Sequence, residues 1–227
     1  MGGMPLGVII VAAGGASRFG DEKQTLPLRG LPVFLHSVRT FLPMADELVV
    51  AVPPGRVDAY KALAERHGIP PGELTWIEGG ATRSGSVRNA LGALSLQEGM
   101  VAVHDAARPL ATVDLLHALL DLSGGTAGAV PGSQVRDTLL QSDADGCMTG
   151  VVDREMCRCA QTPQVFPLAK LREAYSLLEG KSFTDDTQVF HAAGGTVRIL
   201  PWTENNLKLT YREDLRRAEE ELVRRDG

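Results

Sequence analysis

Continuous apolar runs and helix-spaced apolar positions alternate between residues 6 and 132. "LGVIIVAA", residues 6–13, is a short run without polar interruption, as expected of a strand buried on both faces. "PVFLHSVRTFL" repeats its apolar residues at helical spacing and has Pro32 at its start, so it predicts a helix. "DELVVAV" predicts a second strand, and "RVDAYKALAERHG" a helix stopped by Gly68. The same reading makes "ELTWIE", "MVAVHDA" and "AGAVPG" strands, and "SGSVRNALGAL" and "VDLLHALLDL" the helices between them. Such alternation predicts a parallel sheet with helices on both faces.

The pattern then changes. "QVRDTLLQ" and "GCMTGVVDRE" flank "SDADG", whose Asp-Gly pair is a turn signal, so a β-hairpin is expected. It is too polar for a core and predicts an arm projecting at about residues 134–153. A helix at "LAKLREAYSLL", a short one near "DDTQVFHAAG", the strand "TVRIL" and a last helix "REDLRRAEEELVRR" complete the chain. No internal repeat or low-complexity linker divides it, and 227 residues suit one domain.

Composition narrows the classes. Aromatic residues are only 5% of the chain, so Val, Leu and Ala must fill the core. A net charge of -5 speaks against a broad nucleic-acid surface. No apolar run reaches the roughly 18 residues of a membrane span, and no secretory signal is visible, so a cytoplasmic protein is expected. Cys147, Cys157 and Cys159 make a poor disulfide or zinc framework and are expected to be thiols.

Candidate chemistry begins after the first strand. Ligands of an open parallel sheet bind beyond the carboxyl ends of its strands. "AAGGASRFGDEK" stands there, with small residues that let a ligand reach the backbone and with Arg18 and Lys23 as cations. It lacks the G-x-G-x-x-G fingerprint, which disfavours a dehydrogenase. Gly15 and Gly20 have phosphate-loop spacing, but Asp21 and Glu22 follow where Lys and Ser/Thr should stand. The bland reading is a tight turn with two solvated cations. "GGATRSGS" follows the third strand and offers the Ser86 hydroxyl, or simply an ordinary helix start. "VHDAARP" follows the fourth and brings Asp105 to the same rim, as a magnesium ligand, a helix cap or a salt-bridge partner of Arg108.

These segments, with "GLPVFLHSV", "VRDTL", "VDRE", "QTPQVF", "FTDD" and "ENNLKLT" in order along nearly the whole chain, resemble the 2-C-methyl-D-erythritol 4-phosphate cytidylyltransferases. The resemblance implies a three-layer Rossmann-like α/β nucleotidyltransferase fold, with a mostly parallel sheet and the projecting β-hairpin arm. It implies transfer of a cytidylyl group from CTP to methylerythritol phosphate, with release of pyrophosphate, for isoprenoid synthesis. Arg18 and Lys23 match the family's transition-state cations. Ala12, Ala13, Gly14, Gly80, Arg83, Ser86 and Asp105 match its nucleotide side, with Asp105 also associated with Mg²⁺. Arg154 and Lys208 match the residues that hold the acceptor phosphate, and Arg108, Thr138, Thr162 and Thr184 other acceptor contacts; Asp105 belongs to this set as well. A homodimer gripped by the arm is implied, with neither nucleic acid nor membrane as partner.

The chain departs from the family in having Val11 before Ala-Ala-Gly, Glu22-Lys23-Gln24-Thr25 around the lysine, and a shorter stretch from Arg18 to Lys23. The rival readings are a ribitol-5-phosphate cytidylyltransferase and a nucleotide-binding domain without catalysis.

Overall fold

The computed structural model describes residues 4–14, 23–70, 72–181 and 183–226. In chain order its elements are β1 (Leu6–Val11), a 3-10 turn at Lys23–Thr25, and the short strands β2 (Pro27–Leu28) and β3 (Leu31–Pro32). Then come α1 (Val33–Phe41), β4 (Glu47–Val52), α2 (Val57–Arg66), β5 (Thr75–Glu78), α3 (Arg83–Ala93), β6 (Met100–Asp105), α4 (Val113–Ser123) and β7 (Gly128–Gln134). The strands β8 (Leu139–Ser142), β9 (Met148–Val152), β10 (Arg158–Ala160) and β11 (Gln164–Pro167) follow. α5 (Leu168–Leu177), α6 (Asp186–Ala192), β12 (Val197–Pro201) and α7 (Glu213–Asp226) complete the order.

The expected helices and strands stand close to where periodicity puts them. Pro32 precedes α1 rather than lying in its first turn, and Gly68 adopts φ 81° just past α2, where a side chain would be strained. Every residue of β1 is buried. Val8 and Ile10 face one core with α1, α2 and α4, while Ile9 and Val11 face a second core with α3, α5 and α6. That two-sided burial is what an uninterrupted apolar strand requires. A third apolar cluster joins α7 to Leu28, Val33, Leu110 and Leu209.

The main sheet runs β10-β7-β11-β6-β1-β4-β5, with β12 paired to β7. β1 pairs in parallel with β4 and β6, and β4 with β5. The sheet is mostly parallel, as expected, and the βα alternation gives way to antiparallel pairing at β11. That strand inserts between β6 and β7 and is antiparallel to both. Its four residues are too few to show a period in the sequence, and "TPQVF" carried no strand signal of its own. β10 is also antiparallel to β7.

The arm forms as a separate two-stranded sheet, β8 with β9. Asp143 accepts hydrogen bonds from the amides of Asp145 and Cys147, and Gly146 has φ 82°, which closes the turn at the Asp-Gly pair. Leu140, Met148 and Val151 on these strands are exposed, as is Met156 beyond them.

Candidate active site

Three loops converge beyond the carboxyl ends of β1, β5 and β6. In the first, Ala12 is buried and Gly14 exposed. Arg18 lies outside the described residues. Lys23, in the 3-10 turn that follows, donates to the carbonyl of Leu209 at 3.0 Å.

The second loop fits against the first because it has no side chain there. A Cβ on Gly79 would stand 2.2 Å from the Cβ of Ala13, and one on Gly80 would stand 2.8 Å from the backbone of Gly85. Thr82 caps α3 by accepting from the amide of Gly85 at 3.0 Å. Ser86 is buried, accepts from the amide of Gly80 at 3.1 Å and donates to the carbonyl of Thr82 at 3.0 Å. Its hydroxyl therefore holds the loop in shape, and the cap belongs to Thr82.

The third loop carries Asp105, the last residue of β6. It neither caps a helix nor pairs with Arg108. Arg83 Nε meets its Oδ1 at 2.9 Å and Lys208 Nζ its Oδ2 at 2.6 Å. Burial would raise the Asp105 pKa, but the Arg83 and Lys208 charges outweigh it and hold the carboxyl well below the usual carboxylate range. Arg83 also reaches Asp186, at 2.7 Å. Burial opposes the charge on Arg83, yet the carboxylates of Asp186 and Asp105 prevail and raise its pKa. Asp186 is fully buried and accepts the Tyr175 hydroxyl at 2.5 Å. Burial, together with that carboxylate, pushes the Tyr175 pKa up.

His104 fixes the backbone beneath Asp105. Its Nε2 lies 3.2 Å from the Arg108 carbonyl and 3.1 Å from Ser37 Oγ. A carbonyl can only accept, so Nε2 carries the proton in that bond and Nδ1 takes the hydrogen of Thr162 at 3.2 Å. Thr162 in turn accepts from the amide of Asp105 at 3.0 Å. Burial pushes His104 down to about 3, keeping it neutral.

Arg83, Asp105, Arg108, Thr162, Thr184 and Lys208 line one cavity of about 310 Å³. Arg108 donates to the carbonyl of Asn206 at 2.7 Å, and burial lowers its pKa. Arg83 Nη2 and Arg108 Nε are buried without a hydrogen-bond partner among the described residues. Two unsatisfied cationic donors beside a cavity suit an anion that fills it. Thr138 and Arg154 are exposed on the arm side of the molecule and do not line this cavity. Arg154 donates to the Arg136 carbonyl at 2.8 Å.

Asp185, Asp186 and Tyr175 were not marked by sequence reasoning. "FTDD" entered only as a family motif, and in the structure Asp185 caps α6 by accepting from the Thr187 amide at 2.7 Å. Nothing local distinguishes Asp186, which faces an arginine 103 residues earlier in the chain. A group of three or more potential metal-binding side chains does not occur among the described residues. None of their helices is long and apolar enough to cross a membrane.

A family model for 2-C-methyl-D-erythritol 4-phosphate cytidylyltransferase matches residues 6–224. The chain is 41% identical over 222 residues to the enzyme of that name from Symbiobacterium thermophilum, covering 95% of this chain and 92% of the relative. It is 40% identical to the bifunctional enzyme IspD/IspF of Clavibacter michiganensis, covering 99% of this chain but only 56% of that longer protein. Among solved structures, the 2-C-methyl-D-erythritol 4-phosphate cytidylyltransferase of Thermus thermophilus superposes with a TM-score of 0.76 at 33% identity, covering 95% of this chain and 98% of the other.

Proposed function

The chain belongs to the 2-C-methyl-D-erythritol 4-phosphate cytidylyltransferase family, and on that premise we propose how its residues divide the reaction. It transfers a cytidylyl group from CTP to 2-C-methyl-D-erythritol 4-phosphate, giving CDP-methylerythritol and pyrophosphate, a step of non-mevalonate isoprenoid synthesis. An oxygen of the acceptor phosphate forms a bond to the α-phosphorus of CTP as the bond to the departing pyrophosphate breaks. Such a reaction needs positioning and charge neutralisation more than proton chemistry.

The observation that carries our assignment is the pair of unsatisfied donors, Arg83 Nη2 and Arg108 Nε, beside the cavity that Lys208 also lines. We place the acceptor phosphate there. The Lys208 side chain is 44% exposed and can turn from Asp105 toward the phosphate, while Arg83, at 22%, remains the counter-ion of Asp105. Thr184 is the exposed hydroxyl on that side, and Thr162 holds Asp105 from beneath. The backbone from Ala12 to Gly14 and at Gly80 forms the CTP side, with Ser86 shaping it. Arg83, on the nucleotide side by resemblance, commits Nε and Nη1 to Asp105 and Asp186 and turns Nη2 to the acceptor phosphate. Lys23 bridges to the loop of Lys208, and Arg18 on the same loop joins it in neutralising the α-phosphoryl oxygens.

Among the described residues two carboxylates line this cavity: Asp105, whose oxygens both face cations, and Asp185, whose oxygens already accept from the Gln164 side chain and the Thr187 amide. That donor set fits an ion carried chiefly by the phosphates of CTP, since Mg²⁺ commonly takes one or two carboxylates plus substrate phosphates. When bound, the ion neutralises triphosphate charge.

The molecule works, in this reading, as one domain in a cytoplasmic homodimer. Support for the dimer comes from the arm, where Leu140, Met148 and Met156 are 61%, 61% and 84% exposed. An isolated two-stranded ribbon gains stability from a partner. Arg154 and Thr138 then serve the neighbouring chain's cavity. The exposed thiols Cys147 and Cys159 suit a reducing compartment.

Pyrophosphate release, measured with CTP, UTP or ATP against methylerythritol phosphate or ribitol phosphate, tests the whole reading. Turnover is expected with CTP and methylerythritol phosphate. Equal or faster turnover of ribitol phosphate would reassign the acceptor.

A further inference from the structure

The last helix is tied to both loops that hold the acceptor side. Arg225 Nη1 donates to the carbonyl of Leu110 at 2.8 Å, and its Nη2 to the carbonyl of Asn205 at 2.7 Å. Leu110 lies near the end of the loop that begins at Asp105 and includes Arg108. Asn205 begins the strap that leads to Lys208. Glu221, one turn earlier in α7, accepts from Arg225 Nε at 3.1 Å and so aims the guanidinium. It also accepts from the side chain of Asn205 at 3.3 Å. Leu215, Ala218 and Leu222 of the same helix pack in one cluster with Leu110 and Leu209.

Other bonds hold the strap at later points. Asn206 is bound through its carbonyl by Arg108 and through its amide group to the Thr162 carbonyl, at 2.7 and 2.9 Å. The amide of Leu209 reaches the Ala107 carbonyl at 2.8 Å. These fix the middle of each loop against the other. Arg225 joins the beginning of one to the end of the other with a single planar group, whose two arms cannot separate.

We infer that Arg225 is a positioning residue for the cytidylyl transfer: its fork between Leu110 and Asn205 sets the spacing of the two loops and thereby the seat of Lys208 beside Asp105 and the acceptor. The inference rests on the assignment of Lys208 to the acceptor side. It touches the CTP side only through Lys23, which donates to the Leu209 carbonyl, while the Ala12–Gly14 and Gly79–Gly80 segments pack on each other without α7. A small displacement of a reacting group can cost up to about 100-fold in rate.

The test compares Arg225→Met, Arg225→Lys and Glu221→Gln with Arg224→Met, a control on an exposed side chain that reaches Glu221 and neither loop. Two readouts are taken. The first is kcat with KM for each substrate. The second is reductive methylation of Lys208 in the free protein, followed by mass spectrometry with the exposed Lys61 as internal reference. Arg225→Met should lower kcat roughly 10- to 100-fold and raise KM for methylerythritol phosphate, with KM for CTP within about twofold. Lys208 should become methylated several-fold faster relative to Lys61. Arg225→Lys and Glu221→Gln should fall between, and they carry the test if Arg225→Met does not fold. Equal changes in both KM values, or unchanged Lys208 labelling in all three variants, would overturn the inference. A wild-type protein inactive on these substrates would defeat the functional assignment instead, and the labelling would still judge the brace.

Discussion

Lys208 Nζ meets Asp105 Oδ2 at 2.6 Å, although 103 residues separate the two in the chain. The other carboxylate oxygen belongs to Arg83, which Asp186 holds from behind. Asp105 therefore has one anchored cation and one exposed cation that can leave it. Asp105→Asn keeps the shape and removes the charge. Stability should fall by about 1.5–3 kcal/mol, the scale of a hydrogen bond to a charged group, because Asp186 still neutralises Arg83. Turnover should fall about 100-fold, on the scale of losing one preorganised electrostatic group, and more Mg²⁺ should be needed for half-maximal rate. Thermal melts and a metal titration of kcat check this. An unmoved metal titration would take the ion away from Asp105.

Gly79→Ala should damage the nucleotide side specifically. The new methyl would meet Ala13 Cβ at 2.2 Å and Ser86 Oγ at 2.8 Å. Either loop must retreat, at about 1–3 kcal/mol for overpacking. KM for CTP is expected to rise at least tenfold, on the scale of 1.4 kcal/mol, with KM for the acceptor little changed. Isothermal titration with CTP measures the first effect directly, and unchanged CTP affinity would refute it.

Arg18→Ala and Arg154→Ala chains should complement each other if the arm serves the neighbouring site. Each variant alone should be nearly inactive. After dissociation and random reassembly, half of the dimers are mixed, and each mixed dimer has one site with both arginines. About a quarter of wild-type activity should then return, given a symmetric pair. Verified mixed dimers with no recovery would mean that Arg154 acts within its own chain.

Acid should weaken the α7 brace in a defined window. Hydrogen bonds from Arg224 first, then from Arg225 and Asn205, hold Glu221 down to about 2 in the folded chain, against an ordinary carboxylate value of 4.5. Between those values the unfolded chain binds more protons. The contribution of Glu221 to stability is thus complete above about pH 4.5 and is lost as the pH falls toward 2. The melting temperature of the wild type should exceed that of Glu221→Gln at neutral pH, and the gap should close on acidification. A gap independent of pH would show that the shift has no energetic consequence.

The order of strands and helices through "AGAVPG", the arm with its Asp-Gly turn and the rim that collects Asp105 are legible in the sequence, because periodicity and turn chemistry act over a few residues. The ordered motifs also mark the family. Tertiary structure alone decides which neighbours those elements take. β11 enters the sheet antiparallel because β6 and β7 leave a gap between them, which four buried residues fill after the chain returns from the arm. Asp105 takes Arg83 and Lys208 in place of Arg108, three residues away, because the Arg108 side chain is turned to the Asn206 carbonyl. Asp186 reads as part of a helix start until folding sets it against Arg83, and Arg225 as one charge among many on α7 until it meets two carbonyls. An ion pair depends on distance in space, and contacts across 103 or 115 residues leave no periodic trace in the chain that makes them.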